Sequence, residues 1–210
     1  FLVRVLSDPF NAALFVAGAL AVLLVLVGYL RYRPAARDVA VLRGALAEYD
    51  DYLPWMLRLS VGLPLVGAGF AGYFFSPAVP MQARVFQVGV GFLLLFGLAT
   101  RAVAAVGLVG YLVGFAVAPD LFLSVEYVGG FVAVLLLGGG RPSADHMLTR
   151  VADAPGTLYG RFDPVHRVAV GFRSAVEPYQ QYAPTVVRVV LGVAFVILGF
   201  WEKLAHPAVA

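Results

Sequence analysis

The sequence predicts an all-α integral membrane protein with six transmembrane helices, and three observations carry that reading. Hydrophobic residues make up 61% of the 210 residues and charged residues 13%, against about 45–50% and about 25% in a soluble domain. Several apolar runs reach or approach the roughly 17–25 residues that cross a bilayer. Near the end of the chain, Tyr182 to Val209 repeats Tyr52 to Val79 without a gap. The two copies share Tyr52/Tyr182, Pro54/Pro184, Arg58/Arg188, Gly62/Gly192, Val66/Val196, Gly69/Gly199, Phe70/Phe200 and Pro77-Ala78-Val79/Pro207-Ala208-Val209. Extended back through Tyr49/Tyr179, Ala45/Ala175, Arg43/Arg173, Arg37/Arg167 and Pro34/Pro164, the register gives 15 identities in 46 positions. One complete unit and the opening of a second are therefore expected.

Composition also excludes chemistry. The chain has no cysteine, which removes disulfides, thiolate zinc sites and cysteine-ligated iron–sulfur clusters. The net charge of +3 comes from dispersed arginines, with no basic run interleaved with aromatics, so nucleic acid is not an expected partner.

The segment Phe1 to Pro9 has no initiator methionine, so the chain is expected to begin inside a longer product or after a processed leader. Ala12 to Leu30 has nineteen residues without a charge and reads as span one, stopped by Arg31-Tyr32-Arg33-Pro34. Between Pro34 and Asp51, Val39, Leu42, Leu46 and Tyr49 fall at helical spacing with Arg37, Asp38, Arg43 and Glu48 around them. That pattern is an amphipathic helix at the interface.

Span two is expected from about Trp55 to Phe75. Pro64 and the glycines Gly62, Gly67, Gly69 and Gly72 make it small-faced and mark close helix packing. Pro77 and Pro80 mark a tight loop. Spans three (Val85 to Thr100) and four (Ala102 to Ala118) form a hairpin separated by Arg101. Pro119-Asp120 turns the chain into span five (Leu121 to Leu137), which contains Glu126 and ends at Gly138. Ser143 caps a short helix through Val151. Val165, Val168, Ala169, Phe172 and Val176 form a second amphipathic helix, and span six runs from Val186 to Trp201. The expected divisions are an N-terminal span (1–33), a four-helix unit with its leading amphipathic helix (34–145), a segment outside the bilayer (146–183) and the first span of a second unit (184–210).

Six alternating spans put twelve arginines on one side: Arg31, Arg33, Arg37, Arg43, Arg58, Arg101, Arg141, Arg150, Arg161, Arg167, Arg173 and Arg188. The other side holds Arg4, Arg84 and Lys203. This asymmetry makes the arginine-rich side cytoplasmic and both ends of the chain external. Spans two and six are four spans apart, so the duplication is parallel.

Arg58 to Gly69 and Arg188 to Lys203 resemble the first-helix signature of the DoxX-like family of membrane proteins. Gly91-Leu95-Gly97 with Thr100-Arg101-Ala102 resembles that family's second-helix exit, and Gly138-Gly139-Gly140-Arg141-Pro142-Ser143-Ala144-Asp145 the stretch closing its fourth helix. The likeness covers Pro54 to Asp145 and reopens at Pro184. Two departures stand out: Gly72-Tyr73 where the second copy has Glu202-Lys203, and Gln87 where the family commonly has glutamate. The resemblance implies a prokaryotic plasma-membrane protein. In some members it is a subunit of thiosulfate–quinone oxidoreductase, in others an accessory of redox-defence complexes, and many have no assigned activity.

Bis-histidine haem is excluded because His146, His166 and His206 do not lie at compatible depths; no metal ligand set is expected. Any redox role therefore borrows its electrons from a partner or from a bound quinone. Glu126 is placed about one and a half turns into span five, roughly 7–8 Å from its start. Arg84, Gln87, Lys203 and His206 share its layer with Tyr73, Tyr127 and Glu202. Together they read either as a quinone or proton site, or as an ion pair in which Arg84 pins Glu126. Arg58 and Arg188, in the first turn of their spans, are expected to snorkel to head groups.

Three function classes follow: a membrane subunit of a quinone-linked oxidoreductase, a non-catalytic scaffold docking a soluble partner through 143–183, and a small-solute carrier. The lipid bilayer is the expected environment. The span-six face at Gly192 and Gly199 needs a partner helix, either from a second bundle in a longer natural protein or from a homo-oligomer.

Overall fold

The computed structural model describes residues 7–32, 36–154, 156–157 and 171–201. Among them the secondary structure is helical, with no strand and one isolated bridge between Phe74 and Ser76. The chain divides into two compact units. One comprises Phe1–Asp50 with Val196–Ala210, the other Asp51–Phe195.

The first unit carries α1 (Pro9–Tyr32) and α2 (Ala36–Ala47), neither of which has a buried residue. An apolar helix with no covered face is what a membrane span looks like when lipid supplies its surroundings. The second unit contains α3 (Leu53–Ala71), α4 (Arg84–Phe96), α5 (Thr100–Val117), α6 (Glu126–Leu137) and α7 (Ala144–Asp153). Helix α8 (Ala183–Phe200) starts in this unit and ends in the other. The apolar repeat is also a repeat of elements. Both α3 and α8 follow a 3₁₀ turn, Asp50–Tyr52 and Glu177–Tyr182 respectively, which in turn follows helical chain, α2 in one case and 171–176 in the other. The rest of the second amphipathic helix lies outside the described residues.

Four described helices are long and apolar enough to cross a membrane: Pro9–Tyr32, Asp50–Ala71, Thr100–Val117 and Gly171–Phe200. These are spans one, two, four and six. Spans three and five are shorter than expected. Helix α4 has 13 residues and α6 has 12, roughly 20 and 18 Å long against a hydrocarbon core of about 30 Å.

Local chemistry explains each shortfall. Helix α4 stops at Phe96 because Gly97 takes φ +68°. Gly97 N–H then reaches the Leu94 carbonyl at 3.0 Å, and Leu98 N–H the Leu93 carbonyl at 3.0 Å. This is a Schellman end. Helix α3 stops at Ala71 in the same way, with Tyr73 N–H on the Ala68 carbonyl at 3.1 Å. Expected span five splits in two. Pro119–Ser124 is 3₁₀, and the Tyr111 hydroxyl donates to the Leu121 carbonyl at 2.7 Å, a carbonyl that a continuous α-helix would pair with its own chain. Glu126 is therefore the first residue of α6, and the expected α-helical turns before it are 3₁₀.

The core lies among α3, α4, α5 and α6. Val61, Leu65, Val90, Leu94, Val103, Phe131 and Val134 are buried there. The expected close packing on α3 occurs at Gly62 and Gly69. A Cβ on Gly62 would lie 3.0 Å from the Gly91 carbonyl oxygen, and one on Gly69 would lie 2.1 Å from Val88 Cγ2. Gly67 has nothing within 4 Å, and Gly72 caps the helix rather than packing it.

Ala99, which precedes α5, holds φ +48°, a conformation that disfavours a side chain. Its N–H is held by Asp145 Oδ1 at 2.6 Å. Ala99→Gly is expected to raise stability by about 0.5–1 kcal/mol, read as a higher midpoint in detergent thermal unfolding; a lower midpoint would contradict the backbone assignment.

Candidate functional site

The antiparallel order of α3 to α6 brings polar side chains together at each end of the four-helix unit. At one end are the start of α3, the end of α4, the start of α5 and the end of α6. The Arg58 side chain is here, with only 1% of the residue exposed. Its Nη1 donates to the Leu94 carbonyl at 3.3 Å and its Nη2 to the Pro142 carbonyl. The expectation that Arg58 snorkels to head groups is thus corrected: Arg58 is enclosed because α4 ends beside it with a carbonyl to satisfy. Its repeat mate Arg188 is exposed.

Arg101 does the same for α6, with Nε donating to the Leu135 carbonyl at 3.1 Å and Nη2 to the Leu136 carbonyl at 3.2 Å. Asp145 closes the start of α5, accepting from Ala99 N–H and from Thr100 N–H at 2.8 Å. Its own N–H donates to the Gly97 carbonyl at 2.9 Å. Ser143 caps α7 as expected, accepting from His146 N–H at 3.1 Å. The last carbonyls of a helix and the first N–H groups need partners wherever water is scarce, and these four side chains provide them. This end is a junction that fastens helix ends to one another.

The other end holds Glu126, Arg84 and Gln87, the expected site residues among those described. Gln87 is fully buried and its amide is committed. Nε2 donates to the carbonyls of Leu65 and Tyr73, both at 3.1 Å, and Oε1 accepts from Phe75 N–H at 2.7 Å. Phe75 sits at φ +55°, with the Ser124 hydroxyl on its carbonyl at 3.4 Å. Gln87 and Ser124 thus hold a backbone conformation that a phenylalanine rarely adopts. The Phe75 ring meets those of Tyr111 and Tyr127 edge-on, at 5.2 and 5.1 Å between centroids, and that of Phe131 at 6.1 Å.

Glu126 stands at the head of α6, next to Tyr127. Its Oε2 is buried and has no hydrogen-bond partner, and no ion pair joins it to Arg84. The expected Arg84–Glu126 pair is therefore not formed. Arg84 lies instead over the Gly72 cap, where a Cβ would approach its Nη1 to 3.2 Å. Lys203, His206 and Glu202 fall outside the described residues. Among the described residues, no three His, Cys, Asp or Glu side chains converge to hold a metal.

Beside this end, α4 and α5 border an open apolar groove of about 560 Å³, lined by Phe74, Met81, Phe86, Val106, Val109, Val113 and Val117, among others. Phe74 links groove and core, its ring lying 4.5 Å from that of Phe75, edge-on. The glycines of α5 let the rings in: Cβ atoms on Gly110 and Gly114 would lie 2.4 Å from the Phe86 ring and 2.5 Å from the Phe74 ring.

Sequence reasoning missed Arg58, Arg101, Thr100, Asp145 and Phe75 as participants in the two ends. A signal did exist for the first two. Spans of marginal length leave helix ends short of the membrane surface, and an arginine in the first two turns of a neighbouring helix is placed to meet them. No family model matches the chain, and neither any curated protein nor any solved structure matches it.

Proposed function

We propose that the chain is a DoxX-like membrane subunit of a quinone-linked oxidoreductase, seating a quinone head group at the Glu126 end of the four-helix unit. The observation that carries this reading is a buried carboxylate oxygen without a hydrogen-bond partner, among aromatic rings. A carboxylate accepts a hydrogen bond from a quinol hydroxyl and, once protonated, donates one to a quinone carbonyl. The packed rings of Tyr111, Tyr127 and Phe75 form the apolar wall of this end and keep water from the carboxylate. The apolar groove next to them suits an isoprenoid tail, which needs no polar contact. Gln87 acts in this reading by positioning Phe75, and electrons come from a partner protein.

The same proposal places all six apolar segments across the plasma membrane of a prokaryote, with the arginine-rich side cytoplasmic. Helices α4 and α6 cross as short α-helices continued by 3₁₀ or irregular chain. Backbone of that kind is tolerated at depth only when enclosed by protein, and the carbonyls of Leu94, Leu135 and Leu136, each held by an arginine, support the arrangement.

Organic extraction of the protein purified from native membranes, followed by mass spectrometry, is expected to find a quinone near one per chain. A preparation that retains phospholipid but no quinone, and gains none when quinone is added, would overturn the reading.

A further inference from the structure

Helix α7 (Ala144–Asp153) has a side that neither the core nor the junction at Arg58 uses. Met147, Leu148 and Val151 fall within one turn-to-turn stripe and are 66%, 37% and 46% exposed. The opposite side carries Thr149 and Arg150, also exposed. A free amphipathic helix would be expected to hide such a stripe or lose its structure, yet α7 is fixed at its start. Ser143 caps it, Asp145 N–H is bound to the Gly97 carbonyl, and the Asp145 carboxylate grips the start of α5. The Pro142 carbonyl just before it takes Arg58. The fold therefore sets the direction of the stripe.

What lies beside the stripe says what covers it. Gly97, to which α7 is tied, is flanked by Phe96 and Leu98, which are 68% and 38% exposed. Exposed apolar surface of the bundle therefore reaches the point where α7 begins, and lipid that covers Phe96 and Leu98 is at hand for the stripe. Polar residues on the far side suit water and head groups.

We propose that α7 lies in the membrane interface, with Met147, Leu148 and Val151 dipped into the boundary between head groups and acyl chains and Thr149 and Arg150 facing water. The occupant of the stripe is the bilayer itself. The helix then ties the membrane surface to the junction that holds α3, α4 and α5 together.

The absence of cysteine from the chain makes site-directed spin labelling clean. Single variants Met147→Cys, Val151→Cys, Thr149→Cys and Arg150→Cys would carry a nitroxide in the full chain, reconstituted in phosphatidylcholine nanodiscs. Labels at 147 and 151 are expected to collide more with oxygen than with a water-soluble nickel chelate, and labels at 149 and 150 the reverse. Leu148→Cys replaces either stripe position if a variant loses its thermal transition. Equal access of the nickel chelate to both sides would overturn the proposal by placing α7 in water. Shielding of 147 and 151 from both reagents would overturn it too, by showing that a protein surface covers the stripe.

Discussion

Replacing Arg58 by alanine is expected to cost about 3 kcal/mol or more, while the same change at its repeat mate Arg188 leaves the unfolding transition where it is. The arithmetic for Arg58 has two parts. Two carbonyls, those of Leu94 and Pro142, lose their donor; the buried Leu94 carbonyl left unpaired costs about 1–3 kcal/mol, and the Pro142 carbonyl, on an exposed residue, costs less. The vacated volume adds a cavity term. Arg58→Met separates the two, because it refills most of the space and restores no hydrogen bond; it should recover only a minority of the loss. Arg188 is exposed, and surface substitutions of that kind ordinarily stay within about 0.5 kcal/mol. Thermal unfolding in detergent reads all three variants. Equal losses at Arg58 and Arg188 would mean that Arg58 is not enclosed.

Glu126→Gln is expected to lower quinone retention at least tenfold, about 1.4 kcal/mol of binding free energy, with no loss of thermal stability. The stability half follows from geometry. Glu126 Oε2 has no partner to lose, and an amide is easier to bury than a carboxylate. Had the carboxylate been paired with Arg84, the same change would destabilise the protein. Arg84→Ala serves as the control and should leave retention unchanged. Loss of stability with retention intact would return Glu126 to a structural role.

The parts of the fold that were legible in the sequence are those fixed by local chemistry. Ser143 could be read as a cap because the residues after it form a helix and a hydroxyl at that position satisfies its first N–H groups. Gly62 and Gly69 could be read as a packing face because small residues on one stripe permit close approach. The repeat could be read from identities, and the order of helix, 3₁₀ turn and apolar helix in both copies gives it a structural counterpart. Helix ends were harder. The turn at Gly97 was visible as a glycine, but its effect on span length depends on backbone bonds that apolar periodicity does not report.

What was illegible depended on a partner distant in sequence. The expectation that a first-turn arginine stays at the surface suits Arg188, which is exposed. It fails for Arg58 because α4 ends there, 36 positions along the chain. That the α-helix begins only at Glu126 was hidden for a similar reason. The Tyr111 hydroxyl takes the Leu121 carbonyl, and nothing in the apolar run from Leu121 to Leu137 announces that. Gln87 was read as a member of the Glu126 layer, and its amide serves the backbone of Leu65, Tyr73 and Phe75. The polar residues of that layer were visible, and their division into holders and free groups was not.

The central claim is that the Glu126 end is where quinone sits, and photolabelling tests it most directly. An azido-quinone added to the reconstituted protein, irradiated and mapped by peptide mass spectrometry, is expected to mark segments carrying Tyr111, Phe75 or Tyr127, with excess unlabelled quinone suppressing the signal. Labelling spread over α1 and α8 and indifferent to competitor, with those three segments unmarked, would contradict the account.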